Sequence, residues 1–184
     1  MRFKRHLLGL LLLAGCAAEG PERIVERRAS GVLADRGAAL LRAAMLDGHA
    51  RERRAVGLTP LAWDDELAGH AAAYAADMAR TGRFRHADQP HGPSREGENL
   101  WTGTRGAYTH VEMFGHWAAE KTAFVNGPTP AFSRTGRWED VAHYTQIVWR
   151  GSTRFGCAMA GNRTDDYLVC RYAASGNVVG QRAY

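Results

Sequence analysis

Cys157 and Cys170 stand in two short β-like runs, Phe155–Ala160 and Tyr167–Ala173, with Gly161-Asn162 between them. A Gly-Asn pair between two such runs signals a hairpin. A hairpin would set the two cysteines opposite each other, and the twelve residues between them suit a bridge across antiparallel strands. Closing such a loop stabilises by roughly 3 kcal/mol on the chain-entropy model. The other reading is two free thiols in a core. The compartment decides between them, and the first residues speak to the compartment.

Met1-Arg2-Phe3-Lys4-Arg5 is a basic start, and Leu7–Ala14 is an apolar run of eight residues. A helix needs roughly 20 residues to cross a bilayer. The run instead has the length and flanks of a signal-peptide core. Leu13-Ala14-Gly15-Cys16 resembles the bacterial lipobox, which implies cleavage before Cys16 and a lipid on its thiol. The alternative is an ordinary cleaved signal in which Cys16 is incidental. Ala17, rather than Asp, follows the cysteine, which implies the outer membrane, facing the periplasm, in a Gram-negative source. Residues 1–15 are therefore expected to be signal, and 16–31 the lipidated N-terminus and a tether, joining the protein to a membrane through lipid. Loss of Arg2, Lys4 and Arg5 takes the formal charge from +5 to +2, so no nucleic-acid partner is implied. Two remaining thiols in an exported chain are expected to oxidise, giving Cys157–Cys170.

A chain of 184 residues predicts one domain. From Val32 to about Arg54, Leu33, Leu40, Leu41, Ala44 and Met45 recur at helical spacing. Asp64 is a good N-cap, and Leu67, Ala71, Tyr74, Ala75 and Met78 mark the buried face of a second helix that Gly82 closes. A third helix is expected over about 106–122, with Val111, Phe114 and Trp117 or Ala118 facing inward. Residues 83–97 and 124–140 read as loops, and long loops in compact domains are often functional. Tyr144–Trp149, Phe155–Ala160 and Tyr167–Ala173 read as strands. Helices first and antiparallel strands later predict an α+β fold.

Three segments carry a family resemblance. They are Gly97-Glu98-Asn99-Leu100-Trp101; His143-Tyr144-Thr145-Gln146-Ile147-Val148-Trp149 with Gly156-Cys157-Ala158; and Tyr167-Leu168-Val169-Cys170-Arg171-Tyr172 with Gly176-Asn177. In this order and spacing they resemble the CAP superfamily, that of cysteine-rich secretory proteins, antigen 5 and pathogenesis-related class-one proteins. The resemblance covers about residues 32–184, the expected domain. It implies a three-layer α-β-α sandwich with a central antiparallel sheet. It also implies a cleft of two histidines and two acids, which fall here on His86, Glu98, Glu120 and His143. His91 lies close enough to His86 to compete for its place.

Two imidazoles from separate segments can bind a divalent metal while leaving coordination positions open. Zinc is the favoured ion on ligand type, in an exchangeable site. Glu98 and Glu120 are candidate general bases beside it, which would make a zinc-dependent peptidase or envelope-remodelling hydrolase. Other readings are a polar cluster that only joins helices to sheet, or a module that binds a sterol, fatty acid or other apolar ligand, as family members do. His49, His70, His110 and His116 read as core or solvated. Trp138 is expected to line the cleft, and Trp101, Trp117 and Trp149 to pack in the core.

Overall fold

The computed structural model describes residues 24–29, 33–92 and 94–184; Cys16 and the expected signal segment lie outside them. The elements run β1 (Ile24–Glu26), α1 (Ala38–Ala55), β2 (Ala62–Trp63), α2 (Asp65–Thr81), β3 (Gly97–Thr104), α3 (His110–Ala119), α4 (Ala142–Ile147), β4 (Arg154–Gly161) and β5 (Asp165–Ala173). Short 3-10 turns at Glu120–Thr122 and Trp138–Val141 flank the long loop. The sheet order is β1-β3-β5-β4-β2. Its three long central strands are antiparallel, while the short edge strands pair in parallel, β1 with β3 and β2 with β4.

Strand periodicity builds the three layers. Alternate side chains of a strand point to opposite faces. On β5, Tyr167 and Val169 pack with Leu100 against Ala71, Ala75 and Met78 of α2. Leu168, Cys170 and Tyr172 point the other way, into a larger core with Met45, Phe114, Trp117 and Ile147. A sheet covered on both faces needs apolar residues on both, as the run Tyr167–Cys170 of β5 supplies. Cys157 and Cys170 are directly opposite in the β4–β5 register and are joined by a disulfide.

Helix α2 begins and ends as its residue types dictate. The Asp64 carboxylate accepts hydrogen bonds from the backbone N–H of Glu66 and Leu67, and Gly82 closes the helix with φ 69°. Gly156 lets α2 lie against β4. A Cβ there would stand 2.2 Å from the Ala68 nitrogen and 2.4 Å from the Asp64 carbonyl oxygen.

Several expectations are corrected. Residues 142–147 form helix α4 rather than a strand. The run is wholly buried, so no alternation shows which period it adopts. What makes it helical comes from elsewhere in the chain. Glu120 accepts the first-turn N–H groups of His143 and Tyr144, and Arg53 donates to the carbonyls of Ile147, Trp149 and Ser152. An anion at the N-terminus and a cation at the C-terminus satisfy the orphan groups and suit the helix dipole. Helix α1 starts at Ala38, and Leu33 and Leu40 are exposed, while Leu41 and Met45 are buried. Helix α3 is shorter than expected and Val111 is exposed. Ile24–Glu26, placed in the tether, pairs with β3.

Candidate functional site

Neighbouring residues of β3 reach the two histidines from opposite faces of the sheet. Glu98 points to the α2 face, where Oε1 accepts from His86 Nδ1 at 2.7 Å and from the Ala87 N–H at 3.0 Å. Asn99 points to the opposite face and donates to the His143 carbonyl at 3.1 Å. The period of two in one strand thus serves both halves of the site.

His143 sits in the first turn of α4. Its Nδ1 lies 2.6 Å from Glu120 Oε1, while Glu120 Oε2 accepts the two backbone N–H groups that start the helix. Trp117, three residues before Glu120, stacks on the His143 ring with centroids 6.1 Å apart and 14° between planes. One helical row therefore presents an acid and an aromatic to the same imidazole. The Thr109–Glu112 capping box fixes the start of α3.

His86, Glu98 and His143 line one cleft of about 250 Å³ with Asn99, Trp138, Gln146 and Asn177. Glu120 stands behind His143. His86, not His91, is the imidazole that faces the cleft, and Trp138 lines it as expected. The Nε2 atoms of His86 and His143 are buried and have no hydrogen-bond partner among the described residues. Most other polar side chains of the cleft are engaged. Gln146 bonds Ser152 and the Gly176 N–H, and Asn177 bonds Thr145 and the Ala142 carbonyl. Three of the four carboxylate oxygens accept hydrogen bonds, and the fourth, Glu98 Oε2, is held by charge alone, 2.8 Å from Arg171 Nη2 without the alignment of a hydrogen bond. Each glutamate holds an imidazole by Nδ1 and leaves its Nε2 without a partner among the described residues. Carboxylates behind metal-binding histidines commonly do this.

Among the described residues, no group of three or more His, Cys, Asp or Glu is arranged to hold a metal ion. Any metal here would rest on two imidazole nitrogens and outside ligands. The remaining histidines lie elsewhere. His49 is in the core between the Met45 carbonyl and the Tyr172 hydroxyl, and burial lowers its pKa to about 3. His110 is buried, with a pKa lowered by desolvation and then by Arg36. His70 bonds Glu96, and His116 accepts from Trp101 Nε1. Sequence reasoning missed Arg171 and Asn99. Both sit in motif segments, but their roles depend on strand pairing.

This arrangement defines a small α+β sandwich domain built around two carboxylate-held imidazoles. Residues 46–172 match the CAP family model, the cysteine-rich secretory protein family. Pathogenesis-related protein 1C of Nicotiana tabacum is 35% identical over 140 residues, covering 76% of this chain and 78% of that protein. Pathogenesis-related protein 1 of Arabidopsis thaliana is 33% identical over 137 residues, covering 74% and 78%. The chain belongs to the CAP family. Among solved structures, NaASP2 with Zn2+ superposes with a TM-score of 0.64 at 21% identity, covering 85% of this chain and 88% of that one. BmVAL-1 gives 0.63 at 20% identity, covering 84% and 86%. At such identity the likeness is one of fold.

Proposed function

We propose that this CAP-domain protein is exported, held at the cell envelope by lipid on Cys16, and binds a divalent metal ion in its cleft through His86 and His143. One observation carries the metal reading: two histidines that line one cleft each have a buried Nε2 without a partner among the described residues, and each ring is held by a carboxylate at Nδ1. The residues fit an exchangeable two-nitrogen site, with zinc favoured on ligand type. NaASP2, a relative in fold, is a structure with Zn2+. A bound ion would supply positive charge and Lewis acidity to a ligand in the cleft. Glu98 and Glu120 orient the histidines in this reading. Their oxygens are engaged with backbone N–H groups, imidazole and Arg171, which favours binding over hydrolysis.

The test is calorimetric titration of zinc into the demetallated full chain beside His86→Ala and His143→Ala. A single site lost in both variants is expected. Binding that survives in either variant, or none in the wild type, overturns the reading. Radiolabelled lipid recovered with the chain, and lost in Cys16→Ser, checks the anchor.

A second reading concerns an apolar ligand such as a sterol or fatty acid. A groove of about 600 Å³ with a mostly apolar lining runs beside Leu41, Trp63, Ala158 and Met159, away from the cleft. Extraction of the purified chain followed by mass spectrometry should recover a bound apolar molecule; a clean extract rejects this reading.

A further inference from the structure

We propose that Arg171 is a positioning residue for His86, acting through Glu98. The inference rests on the reading of His86 as a binding imidazole of the cleft. Arg171 lies directly opposite Glu98 in the β3–β5 register, on the face covered by α2. Its guanidinium is buried and holds two carboxylates, with Nη2 2.8 Å from Glu98 Oε2 and Nη1 3.2 Å from Glu96 Oε2. The Tyr74 ring lies against it, 5.3 Å from centroid to guanidinium carbon. Arginine can hold this geometry because its fork is planar and permanently charged.

The two oxygens of Glu98 have separate duties. Oε2 is paired by charge with Arg171, and Oε1 accepts from the His86 ring and the Ala87 N–H. The loop that carries His86 is tied to the same guanidinium a second time. Glu96, the other partner of Arg171, exchanges two hydrogen bonds with Gln89 through its backbone. Without Arg171, a buried carboxylate oxygen would lose its cation. The carboxylate would then turn toward water, and the bond that fixes Nδ1 is lost. Glu120 depends on no such cation, since its Oε2 takes two backbone N–H groups. A change at Arg171 should therefore be felt at His86 and not at His143.

The test uses Arg171→Met and Arg171→Lys in the metal-free full chain. Long-range nitrogen–proton NMR, well above the imidazole titration range, reads the tautomer of each ring. The wild type should show a single Nδ1–H tautomer at His86 and at His143. Arg171→Met should give a mixture at His86, leave His143 unchanged, and weaken zinc binding about 10- to 100-fold. Arg171→Lys should lie between, because a point charge can serve one carboxylate but not hold both. An unchanged His86 tautomer in Arg171→Met overturns the proposal, and so does equal loss at His143. Should Arg171→Met not fold, Glu96→Gln removes one of the two anchors. It should shift His86 in the same direction and less while leaving His143 unchanged, with a separate local change at His70, which bonds Glu96 directly; no shift at His86 overturns the proposal. Absence of zinc binding in the wild type would overturn the metal reading and leave the tautomer result to judge Arg171.

Discussion

The two histidine–glutamate pairs of the cleft share a chemistry and differ in what holds them. His143–Glu120 joins two helices, and the same carboxylate also starts α4. His86–Glu98 joins a loop to a strand, and its carboxylate is steadied by a cation. The His143 side chain is 2% exposed and that of His86 25%, so water reaches only one ring readily. The pair with the buried ring therefore also builds the fold, while the other holds a loop against the sheet. Substitutions that separate fold from binding should act unequally on the two pairs.

The largest effect is expected at the buried pair. Glu120→Ala removes the acceptor of two helix-starting N–H groups and of a buried imidazole. It should destabilise by roughly 3–5 kcal/mol, as breaking a buried hydrogen-bonded pair does. Denaturant unfolding measures it, with an unchanged m-value marking a stability effect alone. A loss below about 1 kcal/mol, the ordinary worth of one hydrogen bond, would mean that α4 does not need Glu120.

A third histidine has no carboxylate behind its ring, and its titration differs accordingly. The partners of His49 are a carbonyl and a tyrosine hydroxyl, and its pKa is lowered from 6.5 to about 3. The folded state keeps it neutral, while the unfolded state binds a proton below about pH 6.5. The stability it confers is therefore complete above about pH 6.5 and declines as pH falls toward 3. Roughly 3 kcal/mol should disappear between about pH 6.5 and 4. His49→Gln should flatten that slope, and equal slopes in both proteins would exclude His49 as its source.

What can be read in the residues divides along the same line between local and distant support. Helix α2 is legible to its last residue, because its cap, apolar spacing and closing glycine are all local. The cystine is legible because a hairpin is a local structure. The four cleft residues are legible only by family resemblance. Nothing in the spacing of Glu98 and Glu120 tells that each would stand behind a histidine. Helix α4 reads as a strand for a related reason. Glu120 and Arg53, which make it helical, lie about 20 and about 90 residues away, and no window of sequence contains them both. Arg171 falls in the same class, since strand register alone brings it opposite Glu98.

Glu98→Ala sharpens the contrast by reversing the balance of effects. It should cost roughly 2 kcal/mol, less than Glu120→Ala, because Glu96 still pairs with Arg171 and water can reach His86. Its effect on zinc binding should nevertheless be large, about 10- to 100-fold, because the ring loses its fixed tautomer. Calorimetric binding beside chemical unfolding separates the two quantities. A variant that loses stability while keeping full affinity would make the His86–Glu98 pair structural as well.

The smallest effect should come from Thr109→Ala, which reaches the buried pair at a distance. Thr109 accepts from the Glu112 N–H, and Glu112 bonds back to the Thr109 N–H, at the opposite end of α3 from Glu120. Losing this cap should cost about 1 kcal/mol. Trp117 lies between the cap and the cleft, buried, with its indole N–H on the Leu100 carbonyl. It anchors the last turn of α3 to the sheet independently of the first. The variant should therefore unfold at lower denaturant with zinc affinity within about 2-fold of wild type, since affinity depends on ring placement rather than global stability. A parallel fall in affinity would show that α3 moves as one rod. In that case the placement of His143 would depend on the whole helix rather than on the turn that ends in Glu120.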